Sequence, residues 1–125
     1  MFVKGSHLSW FRVRLTAKEL QELLNMYAFF IAAWESEDPH EQLLLEHAIQ
    51  LYERLARMHR PEAKKYNIKF TVTDGLAFIQ WWQMIDTSDQ VHGNAIICRM
   101  VGEIDKDSKQ VYHMKQLLQP QNTGA

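Results

Sequence analysis

Two short segments of this sequence alternate between apolar and polar residues, and each leads directly into a helix start. In Trp10–Leu15 the residues Phe11, Val13 and Leu15 fall at every second position, and Asn67–Thr73 shows the same alternation. A period of two, with β-branched and aromatic residues, is typical of a strand with one buried face. The sequence therefore predicts two strands, each with an apolar and a polar face.

Helical patterns fill most of the remaining sequence. Thr16 and Glu19 have the spacing of a capping box, and Thr73 or Asp74 can begin the helix after the second strand. Asp38 followed by Pro39 is a further strong helix start. The predicted helices run from Thr16 to Trp34, Asp38 to Arg60, Asp74 to about Ile85, Ser88 to about Ile104, and Ser108 to Gln119.

These elements predict a mainly helical α+β fold, in which a two-stranded β-ribbon packs on four to five helices. A length of 125 residues suits one compact domain, predicted for residues 1–119 and followed by a polar tail at 120–125. An offset of 57 residues superimposes Phe11–Thr16 on Ile68–Thr73. This offset suggests an internal repeat of strand–helix–helix units with halves 10–60 and 67–105. The alternative is that any amphipathic strand before a Thr-capped helix gives the same pattern.

The net charge and the lengths of the apolar stretches limit the classes of function that we expect for this chain. The net charge of -1, from 14 basic and 15 acidic residues, gives no general attraction to nucleic acid, although a local patch could provide one. The longest nearly apolar stretch, Leu23–Trp34, has 12 residues. Because a spanning helix needs about 20 apolar residues and no signal peptide is visible, we expect a cytoplasmic protein without a membrane partner.

Candidate chemistry is sparse. The single cysteine, Cys98, excludes an intramolecular disulfide, and its apolar run Ala95–Cys98 predicts that it is buried. His40 and His47 are seven positions apart, whereas four is the useful spacing for a shared zinc ion. Neither a glycine-rich phosphate loop nor a nucleophile elbow occurs in the sequence. We therefore predict a non-enzymatic protein without catalytic residues, cofactor or metal.

Aromatic and methionine residues are concentrated on helices that have little polar face. Since neighbouring helical side chains are about 100° apart, Trp81 and Trp82 are not expected to point at one narrow seam. We predict that Trp34, Trp81, Trp82 and Met84 contact another protein or a second copy of the chain. A dense core is one alternative. A small-ligand pocket lined by Tyr27, Phe30 and Trp82 is another.

The polar face of the predicted ribbon supports a different interpretation, in which the chain binds nucleic acid. Arg12, Arg14 and Lys69 occupy its outward positions. The order of elements over Phe11–Leu24 and Glu41–Leu55 resembles the ribbon–helix–helix DNA-binding proteins. That resemblance implies a β-ribbon that enters the major groove and reads base edges with its outward side chains.

Three features depart from the ribbon–helix–helix pattern. The first helix is longer, and the acidic segment Glu35–Glu41 stands where a phosphate contact is expected. The family normally forms its ribbon by dimerising, whereas this chain could supply both strands itself.

Overall fold

The computed structural model describes the backbone of residues 10–118 and the side chains of residues 11–106. Two strands and four helices follow one another in this part of the chain: β1 (Trp10–Thr16), α1 (Ala17–Ala33), α2 (Pro39–Met58), β2 (Lys65–Thr71), α3 (Val72–Gln83) and α4 (Val91–Leu118). The strands form one antiparallel sheet, so the predicted mainly helical α+β fold with a two-stranded ribbon is confirmed. The tail at 120–125 lies outside the described residues.

Each strand ends at a threonine that caps the next helix. Thr16 Oγ1 accepts from the Glu19 N–H at 3.1 Å, and the Glu19 carboxylate accepts from the Thr16 N–H at 2.9 Å. Thr71 and Asp74 form the same reciprocal pair at 3.0 and 3.2 Å. The prediction that Thr73 or Asp74 caps this helix is therefore wrong. The pair satisfies two otherwise free N–H groups, which starts α3 at Val72.

The two strands pair in a register that relates the halves of the chain by a two-fold rotation. Val13 lies opposite Ile68, and Thr16 and Thr71 cap equivalent helices. Val13 and Ile68 are 55 positions apart, and so are Thr16 and Thr71. An offset of 55 residues therefore superimposes β1 on β2. The predicted offset of 57 is wrong, because β2 begins at Lys65 and residues 72 and 73 belong to the first turn of α3.

The correspondence continues into the helices. Four buried positions of α1 recur in α3 at the 55-residue offset: Leu20 as Gly75, Leu23 as Phe78, Met26 as Trp81 and Tyr27 as Trp82. Helices α2 and α4 also share one burial spacing, with residues 44, 48, 51 and 55 in one and 93, 97, 100 and 104 in the other. Each half thus contributes a strand and two helices to one core.

Helix α4 is continuous from Val91 to Leu118, so the two helices predicted over Ser88–Ile104 and Ser108–Gln119 are joined into one that begins three residues later than predicted. Gln119 lies outside the described residues. The sequence between them contains no proline, and Gly102 lies within the helix without interrupting it. Within residues 10–118, no helix has both the length and the apolar content that crossing a bilayer requires.

The tryptophans that were predicted to contact a partner belong largely to the core. Trp81 and Trp82 are 1% and 4% exposed, while Trp34 and Met84 are half-buried. The Trp34 ring packs on Trp81 with ring centroids 4.7 Å apart. Helix α3 packs against α2, α4 and both strands. Trp81 and Trp82 are therefore both buried by neighbouring elements, although they point about 100° apart. Neither Trp81 nor Trp82 is exposed for contact with another protein in this structure.

Cys98 is exposed, which contradicts the expectation from its apolar run. The buried stripe of α4 passes through Ile97 and Met100. Position 98 is about 100° further round the helix than position 97, which places the thiol outside this stripe.

Candidate nucleic-acid interface

The two faces of the ribbon differ sharply in burial. The inward side chains are all 7% exposed or less: Phe11, Val13, Leu15, Tyr66, Ile68 and Phe70. The opposite face exposes Arg12, Arg14, Lys65, Asn67 and Lys69. Alternation along each strand explains this separation, because successive side chains point to opposite faces of a sheet.

The structure brings the three predicted nucleic-acid contacts, Arg12, Arg14 and Lys69, together on one exposed face and adds two residues to it. Lys65 and Asn67 belong to the same outward row as Lys69. Lys65 was missed because the second strand was predicted to begin at Asn67, and Asn67 was not considered as a contact. Extending the alternation back through Tyr66 adds Lys65, and the alternation already places Asn67 on the outward face.

The positive charges of this face are not arranged to stabilise the fold. Arg12 lies directly opposite Lys69, and Arg14 lies opposite Asn67. Like charges directly opposite in an antiparallel pair are destabilising, by roughly 0.2–1 kcal/mol. Among the described side chains, no carboxylate forms an ion pair with the four cations of this face, Arg12, Arg14, Lys65 and Lys69.

The carboxylates at the two ends of the ribbon are engaged by other groups. Glu19 belongs to the first capping box and pairs with Arg99 at 3.1 Å. Asp74 belongs to the second and accepts hydrogen bonds from His47 at 2.9 Å and Arg54 at 3.1 Å. The cations of α2 and α4, rather than those of the ribbon, therefore balance these two charges.

Asp74 remains ionised despite its position between α2 and α3. Partial burial raises the pKa of this carboxyl. The hydrogen bonds from His47 and the Thr71 N–H, together with the Arg54 charge, lower the pKa by more than burial raises it. The net result is a pKa below the ordinary value of 3.8. The capping group thus carries a full negative charge at neutral pH.

A groove of about 490 Å³ adjoins one end of the cationic face, between Arg14 and Lys65 and next to Arg99. Arg99 donates to the Arg14 carbonyl at 3.3 Å and to Glu19, which ties α4 to this end of the ribbon. Several donors therefore surround a space open to solvent. Glu19 also lines this groove, and its carboxylate is paired with Arg99. An anionic group such as a phosphate would find complementary charge beside Arg14 and Lys65.

The acidic segment Glu35–Glu41 lies at the end of α1 that is remote from Thr16. Helix α1 has 17 residues and spans roughly 25 Å at 1.5 Å per residue. This distance exceeds the Debye length of about 8 Å at physiological ionic strength. The acidic segment therefore has little influence on a phosphate bound at the Thr16 end of the ribbon.

A second groove, of about 420 Å³, runs between α2 and α3 and is largely apolar. Leu43 and Leu76 line it and are 66% and 43% exposed. The corresponding groove between α1 and α4 is lined instead by charged and polar residues, among them Lys18, Glu22 and His92. The two halves of the molecule therefore differ in the helix surfaces that they expose.

Within the described side chains, no three His, Cys, Asp or Glu residues cluster closely enough to hold a metal ion. Comparison of the chain with models of protein families, with curated proteins and with solved structures finds no match. The resemblance to ribbon–helix–helix proteins therefore rests on the order of strands and helices and on the outward cations of the ribbon, and not on a matching protein.

Proposed function

We propose that this chain binds double-stranded DNA, with the outward face of its ribbon in the major groove. The observation that carries this proposal is the cationic face formed by Arg12, Arg14, Lys65 and Lys69 together with the Asn67 amide. These side chains are exposed, and none of the four cations pairs with a described carboxylate. Such a face costs folding stability and suits a polyanion.

The dimensions of the ribbon favour duplex DNA. Strands of seven residues extend about 23 Å at 3.3 Å per residue, and neighbouring strands lie about 4.8 Å apart. The major groove of B-DNA is about 12 Å wide and admits a two-stranded ribbon. The corresponding groove of A-form RNA is too narrow for side chains to read, so we expect duplex RNA to bind less tightly.

The side-chain types are those that read base edges. Arginine and lysine donate to guanine O6 and N7, and asparagine forms a bidentate pair with adenine. The ribbon exposes both kinds, with Arg14 directly opposite Asn67. Thr16 and Thr71, the N-cap residues of the two halves, lie at the ends of the ribbon. The two-fold relation of the strands matches the pseudo-symmetry of a DNA duplex.

The test is DNA binding measured by fluorescence anisotropy over a range of salt concentrations. The duplex probe is a labelled pool with a randomised centre, and the variant is Arg12→Ala with Lys69→Ala. The matched control, Arg57→Ala with Arg60→Ala, removes two exposed cations at the end of α2 instead. We expect the ribbon variant to bind more weakly, and the slope of log K against log salt to fall by about 0.9 for each removed cation that contacts phosphate rather than a base edge.

We expect the control pair to bind as the unaltered chain does. Equal losses in both pairs would contradict the proposal, since binding would then follow net charge rather than the ribbon. Absence of binding to any duplex at low salt would also overturn it. A preference for duplex RNA over DNA would exclude the major-groove geometry.

A second candidate function is self-association through the apolar groove between α2 and α3. The specific observation is that Leu43 and Leu76 are exposed on this groove, whereas none of the described residues that line its counterpart between α1 and α4 is an exposed large apolar side chain. Burial of Trp81 and Trp82 moves the candidate contact from the tryptophans to these leucines. Exposed apolar patches bordered by polar residues often mark protein interfaces.

Light scattering at several concentrations tests self-association. We expect a dimer whose population rises with concentration and is lost in Leu43→Glu with Leu76→Glu. The control Val91→Glu alters a residue that is 70% exposed at the start of α4 and should leave the dimer intact. A strict monomer at high concentration would exclude this second function.

A further inference from the structure

We infer that the DNA sequence recognised by this chain is not palindromic, because the two halves of the ribbon present different base-reading side chains. This inference rests on the proposed function. The 55-residue offset that carries Val13 onto Ile68 also carries Arg12 onto Asn67 and Arg14 onto Lys69. The backbone is therefore pseudo-symmetric, while the chemistry on its exposed face is not.

The decisive difference is between Arg12 and Asn67. An arginine pairs bidentately with guanine O6 and N7, whereas an asparagine pairs with adenine N6 and N7. Equivalent positions of the two half-sites therefore select different bases, guanine beside Arg12 and adenine beside Asn67. A second equivalent pair, Arg14 and Lys69, carries a positive charge at both positions and so preserves the symmetry there.

The cross-strand register determines which contacts share a half-site. Arg12 lies opposite Lys69, and Arg14 lies opposite Asn67, on either side of the central Val13–Ile68 pair. Residues two apart on a strand are about 6.6 Å apart, which corresponds to about two base-pair steps at 3.4 Å. The guanine and the adenine thus lie in neighbouring half-sites within a few base pairs of the duplex centre.

A single chain can specify such a site, but a homodimer cannot do so with symmetric contacts. When two identical strands form a ribbon, every outward residue appears twice, and the operator follows the two-fold symmetry of the protein. Here β1 and β2 belong to one chain and carry different sequences. Each half-site can therefore be specified separately.

The experiment is selection from a duplex pool with a randomised central segment, followed by sequencing and affinity measurement on the enriched duplexes. We expect a non-palindromic consensus with guanine in one half-site and adenine at the symmetry-related position of the other. Replacement of either base should weaken binding by roughly 5- to 150-fold. The variant Asn67→Arg should change the preferred adenine to guanine, so that these two symmetry-related positions select the same base.

Asn67 is exposed, so its replacement should leave the fold intact, and far-UV circular dichroism checks this. The control Gln83→Ala removes an exposed amide from the end of α3 and should retain the original consensus. A palindromic consensus for the unaltered chain, or binding without base preference, would overturn the inference and leave DNA binding in place. Failure to bind any duplex would instead overturn the proposed function.

Discussion

The rings of Tyr27 and Trp82, which occupy equivalent positions in the two halves, meet edge to face with centroids 4.9 Å apart. Val13 and Ile68, also 55 positions apart, are opposite partners at the centre of the ribbon. Residues related by a two-fold rotation can contact one another only near its axis. The halves therefore contact one another at equivalent residues both in the ribbon and in the helical layer. Burial in this layer raises the pKa of the Tyr27 phenol.

Gly75→Ala is expected to destabilise the fold. An added Cβ would lie 2.6 Å from the Phe11 ring and 2.9 Å from Ile104, inside the packed layer between α3, α4 and β1. Overpacking of this kind costs about 1–3 kcal/mol of unfolding free energy. Urea denaturation followed by circular dichroism measures the loss.

Gly102→Ala serves as the contrasting substitution, because a Cβ there meets no atom within 4 Å. Gly102 is exposed within α4, where alanine is favoured over glycine by about 0.5–1 kcal/mol. We expect this variant to gain stability. If Gly75→Ala gained stability as Gly102→Ala is expected to do, the close packing around Gly75 would be disproved.

Asp74→Asn is expected to lower the unfolding free energy at neutral pH by about 1–3 kcal/mol, since charged hydrogen bonds to His47, Arg54 and the Thr71 N–H are weakened. The Asp74 pKa is lowered in the folded state, so its stabilisation is present above the ordinary value of 3.8. It is lost as the pH falls from there through the folded pKa. The difference from the unaltered chain should therefore shrink below about pH 4.

Glu19→Gln provides the matched control for Asp74, since Glu19 fills the equivalent place in the other capping box. Its side chain is 31% exposed, against 14% for Asp74, so solvent screens its ion pair with Arg99 more strongly. We expect a smaller loss of stability. Denaturation curves between pH 2 and pH 7 measure these differences. The account would be contradicted if the difference in unfolding free energy between Asp74→Asn and the unaltered chain did not shrink at acidic pH.

Trp81→Ala is expected to cost about 3–5 kcal/mol of unfolding free energy, because the indole is 1% exposed and its removal leaves a cavity. Leu43→Ala, at a side chain that is 66% exposed, should change stability by less than about 0.5 kcal/mol. Thermal melts followed by tryptophan fluorescence compare the two. Comparable stabilities of the two variants would contradict the burial of Trp81.

Lys69→Glu is expected to stabilise the free protein and to abolish DNA binding. The new carboxylate faces Arg12 across the ribbon and replaces a repulsive pair with an attractive one, worth roughly 0.2–1 kcal/mol. It would also repel phosphate. Lys106→Glu on α4 is the charge-matched control. Thermal melts and anisotropy on the same preparations test both effects, and unchanged DNA affinity in Lys69→Glu would contradict the prediction.

Local patterns were sufficient for much of the architecture. Alternation over Trp10–Leu15 identified the buried face of β1, and the spacing of Thr16 and Glu19 placed the start of α1. Both features depend on neighbouring residues alone: the pleat of a strand and the free N–H groups of one helical turn. They also placed Arg12 and Arg14 on the exposed face, where the structure has them.

Features that depend on distant parts of the chain could not be inferred in this way. The 55-residue offset and the cross-strand partners follow from the pairing of β1 with β2, which places Arg12 opposite Lys69 and Arg14 opposite Asn67. Burial of both Trp81 and Trp82 follows from the elements packed around α3.

The sequence by itself thus determined the strands, most of the helices and the cationic side chains of the ribbon. Tertiary structure alone decided the register, the relation of the two halves and the residues that share the exposed face. The physical reason is that periodicity identifies the side chains of a segment that point the same way. The groups that cover or oppose them are set by packing between segments far apart in sequence.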